Sequence, residues 1–277
     1  MNISEEPITE ILKLFPSAKP LGKGGQKVVF QIEHKKYGIC VLKIGIYQSK
    51  SSLERILREV EILKSLSTPY YPTHFEFTIV EPNMFYSIEE YLEGPTLGEV
   101  LGSFDNEESI IIFASHIIKA LSFLWERRIV HRDIKPQNII MSKEHPKIID
   151  LGIVRLLDAE SLTQTYAPSG PCTSYYASPE QLENRKRDID VRTDQFALGI
   201  VLGQIILRGA HPFSPAIVGG ESVPDNILRG NWARIEIKKT VSPQTSAFIE
   251  KLLGREPYMR FRFPSEVFDA IHSIGGI

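Results

Sequence analysis

The densest group of reactive side chains in this 277-residue sequence is HRDIKPQNII at 131–140, which lies between two apolar segments. It supplies a carboxylate at Asp133, an ammonium group at Lys135 and an amide at Asn138, and Asp150 ends the next apolar segment, KIID. Amide and carboxylate oxygens are hard ligands that suit a Mg²⁺ ion bridging nucleotide phosphates. The pattern therefore predicts a nucleotide-phosphate site in which Asn138 and Asp150 are the metal ligands.

A glycine-rich segment, LGKGGQKVVF at 21–30, is a second candidate for phosphate binding. Gly22, Gly24 and Gly25 would let backbone N–H groups approach an anion without interference from a Cβ atom. A plain hairpin turn explains the same glycines equally well. The segment is not a Walker-type loop, because neither a helix nor Gly-Lys-Ser/Thr follows it.

Lys43 lies in an apolar predicted strand, CVLKI, and is either a solvated surface charge or a group that lines a cleft. Glu59 lies at the edge of the apolar face of a predicted helix, where an unpaired carboxylate is costly. An ion pair between Lys43 and Glu59 would satisfy both side chains and direct the ammonium group toward a phosphate.

The elements that must position these residues change character once along the chain, near residue 90. Before it, short β-branched and aromatic segments separated by turn residues predict a meandering antiparallel sheet. The predicted strands cover 28–33, 37–44, 74–80 and 84–89. A short amphipathic helix is expected near the N-terminus, and a second helix is expected to begin with a capping box of Ser51 and Glu54.

After residue 91 the pattern becomes mainly helical. One long amphipathic helix is expected to begin at Asp105 as its cap. Another, at about 194–208, is apolar on nearly every side, which predicts that it runs through the interior of this half. Two lobes joined by a short connector at 90–94 are the simplest interpretation.

In this order the motifs resemble those of the eukaryotic-type (Hanks-type) serine/threonine protein kinase family, from about residue 18 to the end of the chain. The resemblance implies an α+β, bilobal protein kinase-like fold. An N-terminal antiparallel sheet lobe with one helix, at about 18–90, would be followed by the connector at 90–94 and a larger, mainly helical lobe at 95–275. Residues 1–17 would be an N-terminal extension of the kinase domain at 18–275.

The resemblance also implies a role for each reactive side chain. Asp133 would orient the acceptor hydroxyl and take its proton, and Lys135 would reach the transferring phosphate. Lys43, held by Glu59, would grip the α- and β-phosphates. Thr173 would face the substrate and hydrogen-bond the catalytic aspartate and lysine.

ATP and Mg²⁺ are the implied ligands, with Asn138 and Asp150 of the variant Asp-Leu-Gly motif holding the metal. The implied nucleotide-binding residues are Leu21, Gly22, Gly24, Gly25, Val29, Val41, Lys43 and Ile140, together with the connector backbone at Glu90 and Leu92. Two later landmarks also match the family. Asp194 would brace the catalytic loop, and Glu180 of SYYASPEQ would pair with Arg260.

Three departures from the family pattern motivate an alternative function. Lys27 replaces the third loop glycine, Val41 replaces an alanine, and the acidic Glu89 precedes the connector at the gatekeeper position, unless a one-residue slip places Ile88 there. The alternative is a nucleotide-binding pseudokinase that acts as an interaction module; the complete set of catalytic residues disfavours it. A kinase of small molecules is disfavoured by Lys135 and by the complete SYYASPEQ segment.

The segment between Asp150 and Glu180 is similar to an activation loop. Thr163 and Thr165 lie where a phosphate could pair with Arg132 and order the loop, which suggests autophosphorylation through transient self-association. Cys172 is either a small hydrophobe or a redox-sensitive thiol, and the first interpretation is favoured.

Composition limits the partners and the compartment. The 32 basic residues nearly balance 34 acidic ones, for a formal net charge of −2, which gives no overall case for nucleic acid or an anionic membrane. Two cysteines cannot form a disulfide framework. The acidic N-terminus lacks the features of a signal peptide, and the stretch at 196–207 is too short to span a bilayer. We expect a cytoplasmic protein whose partners are ATP and protein substrates with Ser or Thr acceptors, with no nucleic acid and no membrane.

Overall fold

The computed structural model describes residues 5–23, 27–65, 68–80, 82–150, 155–156 and 174–276. The chain divides into two compact units, the N-terminal unit Met1–Glu93 and the C-terminal unit Gly94–Ile277. The strands β1 to β9 of the described residues are Lys19–Lys23, Lys27–His34, Gly38–Ile46, His74–Val80, Met84–Glu90, Ile129–Val130, Ile139–Met141, Pro146–Ile148 and Arg155–Leu156. The helices α1 to α10 are Glu5–Lys13, Lys50–Ser65, Glu107–Trp125, Pro179–Leu182, Val191–Ile206, Pro215–Val218, Val223–Arg229, Arg234–Thr240, Pro243–Leu252 and Pro264–Ser273.

The N-terminal unit is built on an antiparallel sheet of five strands in the order β1-β2-β3-β5-β4. The four predicted strands are confirmed, but the predicted meander is wrong, because β5 pairs with β3 and β4 lies at the edge. The chain leaves the sheet through α2 between β3 and β4. A strand that follows such a crossover is not obliged to pair with the strand before it, as hairpin-linked neighbours are.

One face of this sheet carries the hydrophobic core of the N-terminal unit. Alternate residues of β3, Cys40, Leu42 and Ile44, are buried there together with Ile88 of β5. Helix α1 packs on the same core through Ile11, so the predicted amphipathic helix is confirmed. Because side chains alternate along a strand, the residues between these core positions lie on the opposite face.

The start of α2 differs from the predicted capping box. The Ser52 hydroxyl accepts the backbone N–H groups of Gln48 and Ser49 at 3.0 and 2.9 Å, and Ser49 Oγ accepts the N–H of Ser52 at 3.2 Å. These bonds satisfy donors at the start of the helix, so the expected pairing of Ser51 with Glu54 is wrong.

The C-terminal unit is organised around two long helices, α3 and α5. Every residue of α5 from Thr193 to Ile206 is buried, which confirms the prediction that this helix runs through the interior. Asn106, not the expected Asp105, caps α3 by accepting the N–H of Ser109 at 2.8 Å. A sheet-based N-terminal unit and a mainly helical C-terminal unit confirm the α+β class.

Helix α3 is, among the described residues, the one helix long and apolar enough by length and composition to cross a membrane. Its most apolar window is 61% buried within the protein, as is common for the core helix of a folded unit.

Candidate active site

The reactive segment at 131–140 forms a loop whose two ends are fixed by short strand pairs. Before the loop, β6 pairs with β9, and after it β7 pairs with β8. The N–H of Ile149 donates to the carbonyl of Asn138 at 2.8 Å, just beyond the end of β8. Asp150 is the next residue, so the backbone ties the predicted metal ligands Asn138 and Asp150 to the same edge of this small sheet.

Asp133, Lys135 and Asn138 are brought together in one hydrogen-bonded cluster. Lys135 Nζ donates to Asp133 Oδ2 at 2.7 Å, and Asn138 Nδ2 donates to the same oxygen at 2.9 Å. Asn138 Nδ2 also donates to the Asp133 carbonyl at 2.9 Å. The other carboxylate oxygen of Asp133, Oδ1, is buried and has no hydrogen-bond partner among the described residues. One oxygen is thus held in place, and the other remains able to accept a proton.

The electrostatic setting of Asp133 favours a proton-accepting role. Burial raises the pKa of its carboxyl group, the bonds from Lys135 and Asn138 lower it, and the charge of Asp150 raises it, with a net increase. A carboxylate whose pKa is raised is a stronger base at neutral pH than an ordinary aspartate.

Asp194 on α5 holds the start of the loop through hydrogen bonds, as the family resemblance implies. Its carboxylate accepts the backbone N–H groups of His131 and Arg132 at 2.9 and 2.8 Å, and the indole N–H of Trp125 at 3.0 Å. Burial raises the pKa of Asp194 to about 6, although the N–H donors of Arg132 and His131 oppose the shift. Three donors converging on one buried carboxylate fix the backbone at the start of the loop.

Two residues of the site have left-handed backbone conformations. Arg132 has φ 72° and Asp150 has φ 65°, values that non-glycine residues rarely adopt. Such conformations persist where the surrounding structure fixes the backbone, and they are enriched at functional sites. The bonds to Asp194 supply that constraint at Arg132.

His131 supports the loop as a neutral side chain. It is fully buried, and its Nδ1 accepts the backbone N–H of Asp133 at 3.3 Å. Burial lowers the pKa of His131 to about 4, with the charge of Asp150 opposing the shift. An unprotonated Nδ1 is what this hydrogen bond requires.

The donor set of Asn138 and Asp150 fits a hard divalent cation. Since Asn138 Nδ2 is engaged by Asp133, the amide oxygen is the atom of that side chain that faces away from this bond. An amide oxygen and a carboxylate are oxygen ligands of the kind that Mg²⁺ takes while it keeps waters or binds phosphates. The two residues could therefore hold the predicted metal.

Three of the predicted nucleotide-binding residues of the N-terminal unit, Val29, Val41 and Lys43, share one sheet face. Val29 pairs with Lys43 across β2 and β3, and Val41 lies two residues before Lys43, on the face opposite the core. Leu21 and Gly22 lie on β1, where a register shift interrupts the pairing with β2, and both are exposed.

Lys43 forms an ion pair with Glu89 that the sequence did not indicate. Lys43 Nζ lies 2.7 Å from Glu89 Oε2, and both side chains are largely buried. Ile88 lies in the core on the other face, so the one-residue slip that would put it at the gatekeeper position is wrong. Glu59 lies on α2, but its side chain is outside the described residues, and its pairing with Lys43 stays a prediction.

Of the remaining predicted nucleotide contacts, Glu90 and Leu92 lie at the end of the N-terminal unit, and Ile140 lies within the C-terminal unit. Glu90 ends β5, and its N–H donates to the carbonyl of Thr73 at 2.8 Å. Leu92 follows in an irregular segment of the N-terminal unit. Ile140 lies on β7 of the C-terminal unit, paired with Lys147.

Several predicted residues lie outside the described part of the chain. They are Gly24 and Gly25 of the glycine-rich segment, the substrate-facing Thr173, the candidate phosphorylation sites Thr163 and Thr165, and Cys172. Their roles stay predictions.

The SPEQ sequence at 178–181 connects the loop at 131–140 with a distant arginine of the C-terminal unit. Arg260 donates to both oxygens of Glu180 at 2.7 and 2.9 Å, which confirms the expected pair. Gln181 Nε2 donates to the carbonyl of Arg132 at 3.1 Å, a contact that the sequence analysis missed. The feature of the sequence that could have pointed to Gln181 is its position directly after Glu180.

Comparisons with known proteins identify relatives along nearly the whole chain. The family model described as the protein kinase domain matches residues 15–269. The serine/threonine-protein kinase PknB of Mycolicibacterium smegmatis is 32% identical over 263 residues, which cover 89% of this chain and 40% of that protein. A probable serine/threonine-protein kinase of Clostridium perfringens is 26% identical over 265 residues, 92% of this chain and 37% of that protein.

A vertebrate protein is similar over the same region. The serine/threonine-protein kinase ULK3 of Xenopus laevis is 27% identical over 261 residues, covering 91% of this chain and 54% of that protein. The chain thus spans only part of the length of each of these relatives.

Proposed function

We propose, from the premise that this chain belongs to the protein kinase domain family, that it is a protein serine/threonine kinase. It would transfer the γ-phosphate of ATP to Ser or Thr hydroxyl groups of protein substrates. The observation that carries the proposal is the cluster in which Lys135 and Asn138 hold one oxygen of Asp133 and leave the other unpartnered among the described residues.

Asp133 acts as the group that orients the acceptor hydroxyl and takes its proton. The bonds from Lys135 and Asn138 fix the carboxylate, so that Oδ1 can accept a hydrogen bond from the incoming hydroxyl. The net increase in the pKa of Asp133 strengthens it as a base. The proton of the hydroxyl moves to Asp133 as the oxygen bonds to phosphorus and the bond to the leaving diphosphate breaks.

Lys135 has two roles in this scheme. It holds Asp133 at 2.7 Å, and its positive charge stabilises the transferring phosphoryl group. The family resemblance associates a lysine at this position with Ser/Thr acceptors. The relatives named above carry the same substrate class in their names.

Asn138 and Asp150 are the residues that would hold Mg²⁺. When bound, the ion neutralises phosphate charge during transfer. The hydrogen bond from the N–H of Ile149 to the carbonyl of Asn138 holds the backbone next to these two residues together.

The sheet of the N-terminal unit would bind the nucleotide. Lys43, with Glu59 as its helix partner, grips the α- and β-phosphates, and Val29 and Val41 cover the adenine from the face opposite the core. The glycine-rich segment at 21–25 supplies backbone N–H groups to the phosphates. Glu90 and Leu92 would bond the adenine through their backbone.

The test is phosphate transfer by the purified chain with ATP labelled at the γ-position and Mg²⁺. We expect label on generic protein acceptors, recovered as phosphoserine and phosphothreonine, and a loss of at least about 100-fold in Asp133→Asn. Gln137→Ala is the matched control, because this exposed neighbour in the same loop is not assigned a role. Transfer by Asp133→Asn at the wild-type rate would overturn the assignment of the base.

Two other results would replace the proposed function. Nucleotide binding without transfer to any protein would favour the pseudokinase alternative, which the names of the relatives do not support. Transfer to small molecules but to no protein would favour a small-molecule kinase. Label on Thr163 or Thr165 in the wild type, absent in Asp133→Asn, would support autophosphorylation.

A further inference from the structure

The carboxylate of Glu89 lies against the ammonium group of Lys43 inside the N-terminal unit. The two charged atoms are 2.7 Å apart, and the side chains are 6% and 13% exposed, respectively. An ion pair this close and this well shielded from water restrains both side chains. Glu89 is therefore placed to orient the ammonium group of Lys43.

The strand register fixes this pair. Lys43 of β3 is opposite Ser87 of β5, and Glu89 is opposite Val41, so Glu89 is the diagonal neighbour of Lys43 on one sheet face. Diagonal neighbours on a sheet are within reach of each other when the side chains are long. The separation of the pair thus depends on backbone hydrogen bonds within the sheet and not on the packing of a helix.

The other oxygen of the Glu89 carboxylate, Oε1, has neighbours of its own. Ser87 Oγ donates to Glu89 Oε1 at 3.4 Å, and Nδ1 of the buried His74, on the neighbouring strand β4, lies 4.0 Å from the same oxygen. Burial lowers the pKa of His74. The charge of Glu89 opposes this decrease, and the charges of Lys64 and Lys43 add to it. A neutral imidazole does not compete with Lys43 for the negative charge.

We propose that Glu89 is a positioning residue that orients Lys43 for nucleotide binding from within the sheet. This inference rests on the proposed function, since Lys43 is assigned there to the phosphates of ATP. The helix partner that the family resemblance implies, Glu59, belongs to α2, which packs on β4. Glu89 shares the sheet with Lys43 and restrains it through strand register, so Lys43 keeps an acidic partner whatever the position of α2.

The first test measures the reactivity of Lys43 and requires no turnover. The nucleotide-free protein is treated with an amine-acylating reagent, and the labelling rate of Lys43 is followed by peptide mass spectrometry. In Glu89→Gln we expect a rate at least about threefold higher, because the amine is no longer held against the Glu89 carboxylate. Glu76→Gln is the matched control, since it removes a carboxylate of the same sheet that lies near His34. Equal rates in Glu89→Gln and the wild type would overturn the proposal.

The second test is kinetic and separates positioning from folding. We expect Glu89→Gln to raise the KM for ATP about tenfold while kcat changes less, because the bound nucleotide restores part of the orientation of Lys43. An unchanged KM for ATP, in a variant with the wild-type melting temperature, would contradict the role.

The third test remains decisive if Glu89→Gln folds poorly. In the wild type, Glu89→Met leaves Lys43 without this partner and should lower the melting temperature by about 4 °C. In the Lys43→Met background the same change removes a buried carboxylate that no longer has a lysine partner. The melting temperature should therefore rise. The same sign in both backgrounds would mean that the two residues do not act as a pair.

These outcomes are separable from those of the proposed function. If the wild type transfers no phosphate but Lys43 labelling responds to Glu89→Gln, the proposed kinase activity fails and the pairing stands. If the wild type is an active kinase and labelling is unchanged, the role of Glu89 fails alone.

Discussion

The backbone N–H of Arg132 donates to Asp194 Oδ1 at 2.8 Å, across 62 residues of sequence. This bond joins the buried helix α5 to the residue that precedes the proposed base, Asp133. Arg132 has φ 72°, and the N–H of the preceding His131 donates to the other oxygen of the same carboxylate at 2.9 Å. The strained backbone of the loop therefore depends on a single carboxylate that has both oxygens engaged.

Asp194→Asn should weaken both the loop and the fold. An amide offers one acceptor in place of two, and its NH₂ group would face a backbone N–H, leaving a buried donor unsatisfied. We expect the free energy of unfolding to fall by about 2 kcal/mol and kcat to fall at least about tenfold. Urea unfolding and phosphate-transfer assays measure the two effects. Asp269→Asn, an exposed acid on α10, should change stability by less than about 0.5 kcal/mol.

An Asp194→Asn variant with wild-type stability and normal phosphate transfer would contradict this prediction. It would mean that the loop keeps its conformation without the second acceptor oxygen. The contacts from Gln181 to the Arg132 carbonyl and from Lys135 to Asp133 would then be sufficient to fix the loop.

Arg260→Met should be among the most destabilising single changes in the C-terminal unit. Arg260 and Glu180 have fully buried side chains, and Thr193 Oγ1 also donates to Glu180 at 2.9 Å. Burial raises the pKa of Glu180, but the bonds and charge of Arg260 outweigh it and lower the pKa. Removing Arg260 leaves a buried carboxylate without its cation, at a cost of about 3–5 kcal/mol in unfolding free energy.

A double-mutant cycle isolates the contribution of this pair. Glu180→Gln in the Arg260→Met background should cost less than the same change in the wild type, because the uncompensated charge is removed. Arg262→Met, at an exposed position two residues away, is the control and should change stability by less than about 0.5 kcal/mol. Additive single effects would show that Glu180 and Arg260 are not coupled.

Ile11→Ala tests whether α1 is an integral part of the N-terminal unit. Ile11 is 3% exposed and packs with Ile32, Leu42 and Ile88 in the core. Truncating a buried isoleucine to alanine should lower the free energy of unfolding by about 2–4 kcal/mol. Leu14→Ala is the matched control, because that side chain is 66% exposed. Equal stabilities of the two variants would mean that α1 does not pack on the sheet in solution.

Sequence patterns predicted which segments are strands but not which strands are neighbours. The structure shows that Cys40, Leu42 and Ile44 of β3 face the core and that Val41 and Lys43 lie on the other face, a division that the sequence analysis did not state. The sequence patterns could not show that β5 pairs with β3, because that pairing is a contact between segments far apart in sequence. The register of β3 with β5 places Glu89 beside Lys43.

The predictions of the helix caps were wrong for a different reason. Ser51 and Asp105 are residue types that favour caps, but Ser49 and Asn106 lie close by and are equally good acceptors. The choice between them depends on where the chain enters the helix, which packing of the whole unit decides. In contrast, the grouping of Asp133, Lys135 and Asn138 was predictable from the sequence, because the three residues lie close together in one loop.

His211→Gln should alter how stability depends on pH between about 4 and 6.5. The N–H of Phe213 donates to His211 Nδ1 at 3.2 Å, and Nε2 lies 3.0 Å from the Tyr175 carbonyl, which together fit a neutral ring protonated at Nε2. Burial lowers the pKa of His211 to about 4, although the bond to Tyr175 opposes the shift. In the unfolded chain the pKa is near 6.5, so below that value the unfolded state binds the proton and the native state does not.

The stability contributed by the neutral His211 is therefore present above pH 6.5 and is lost as the pH falls toward 4, by at most about 1.4 kcal/mol per pH unit. Urea unfolding of the wild type and of His211→Gln at a series of pH values gives the difference between them. His131 and Asp194 also titrate in this range, but they are common to both proteins and largely cancel. The stability advantage of the wild type should shrink as the solution is acidified, because the variant cannot take up this proton on unfolding. A difference that stays constant from pH 8 to pH 4.5 would contradict a His211 that is neutral in the native state.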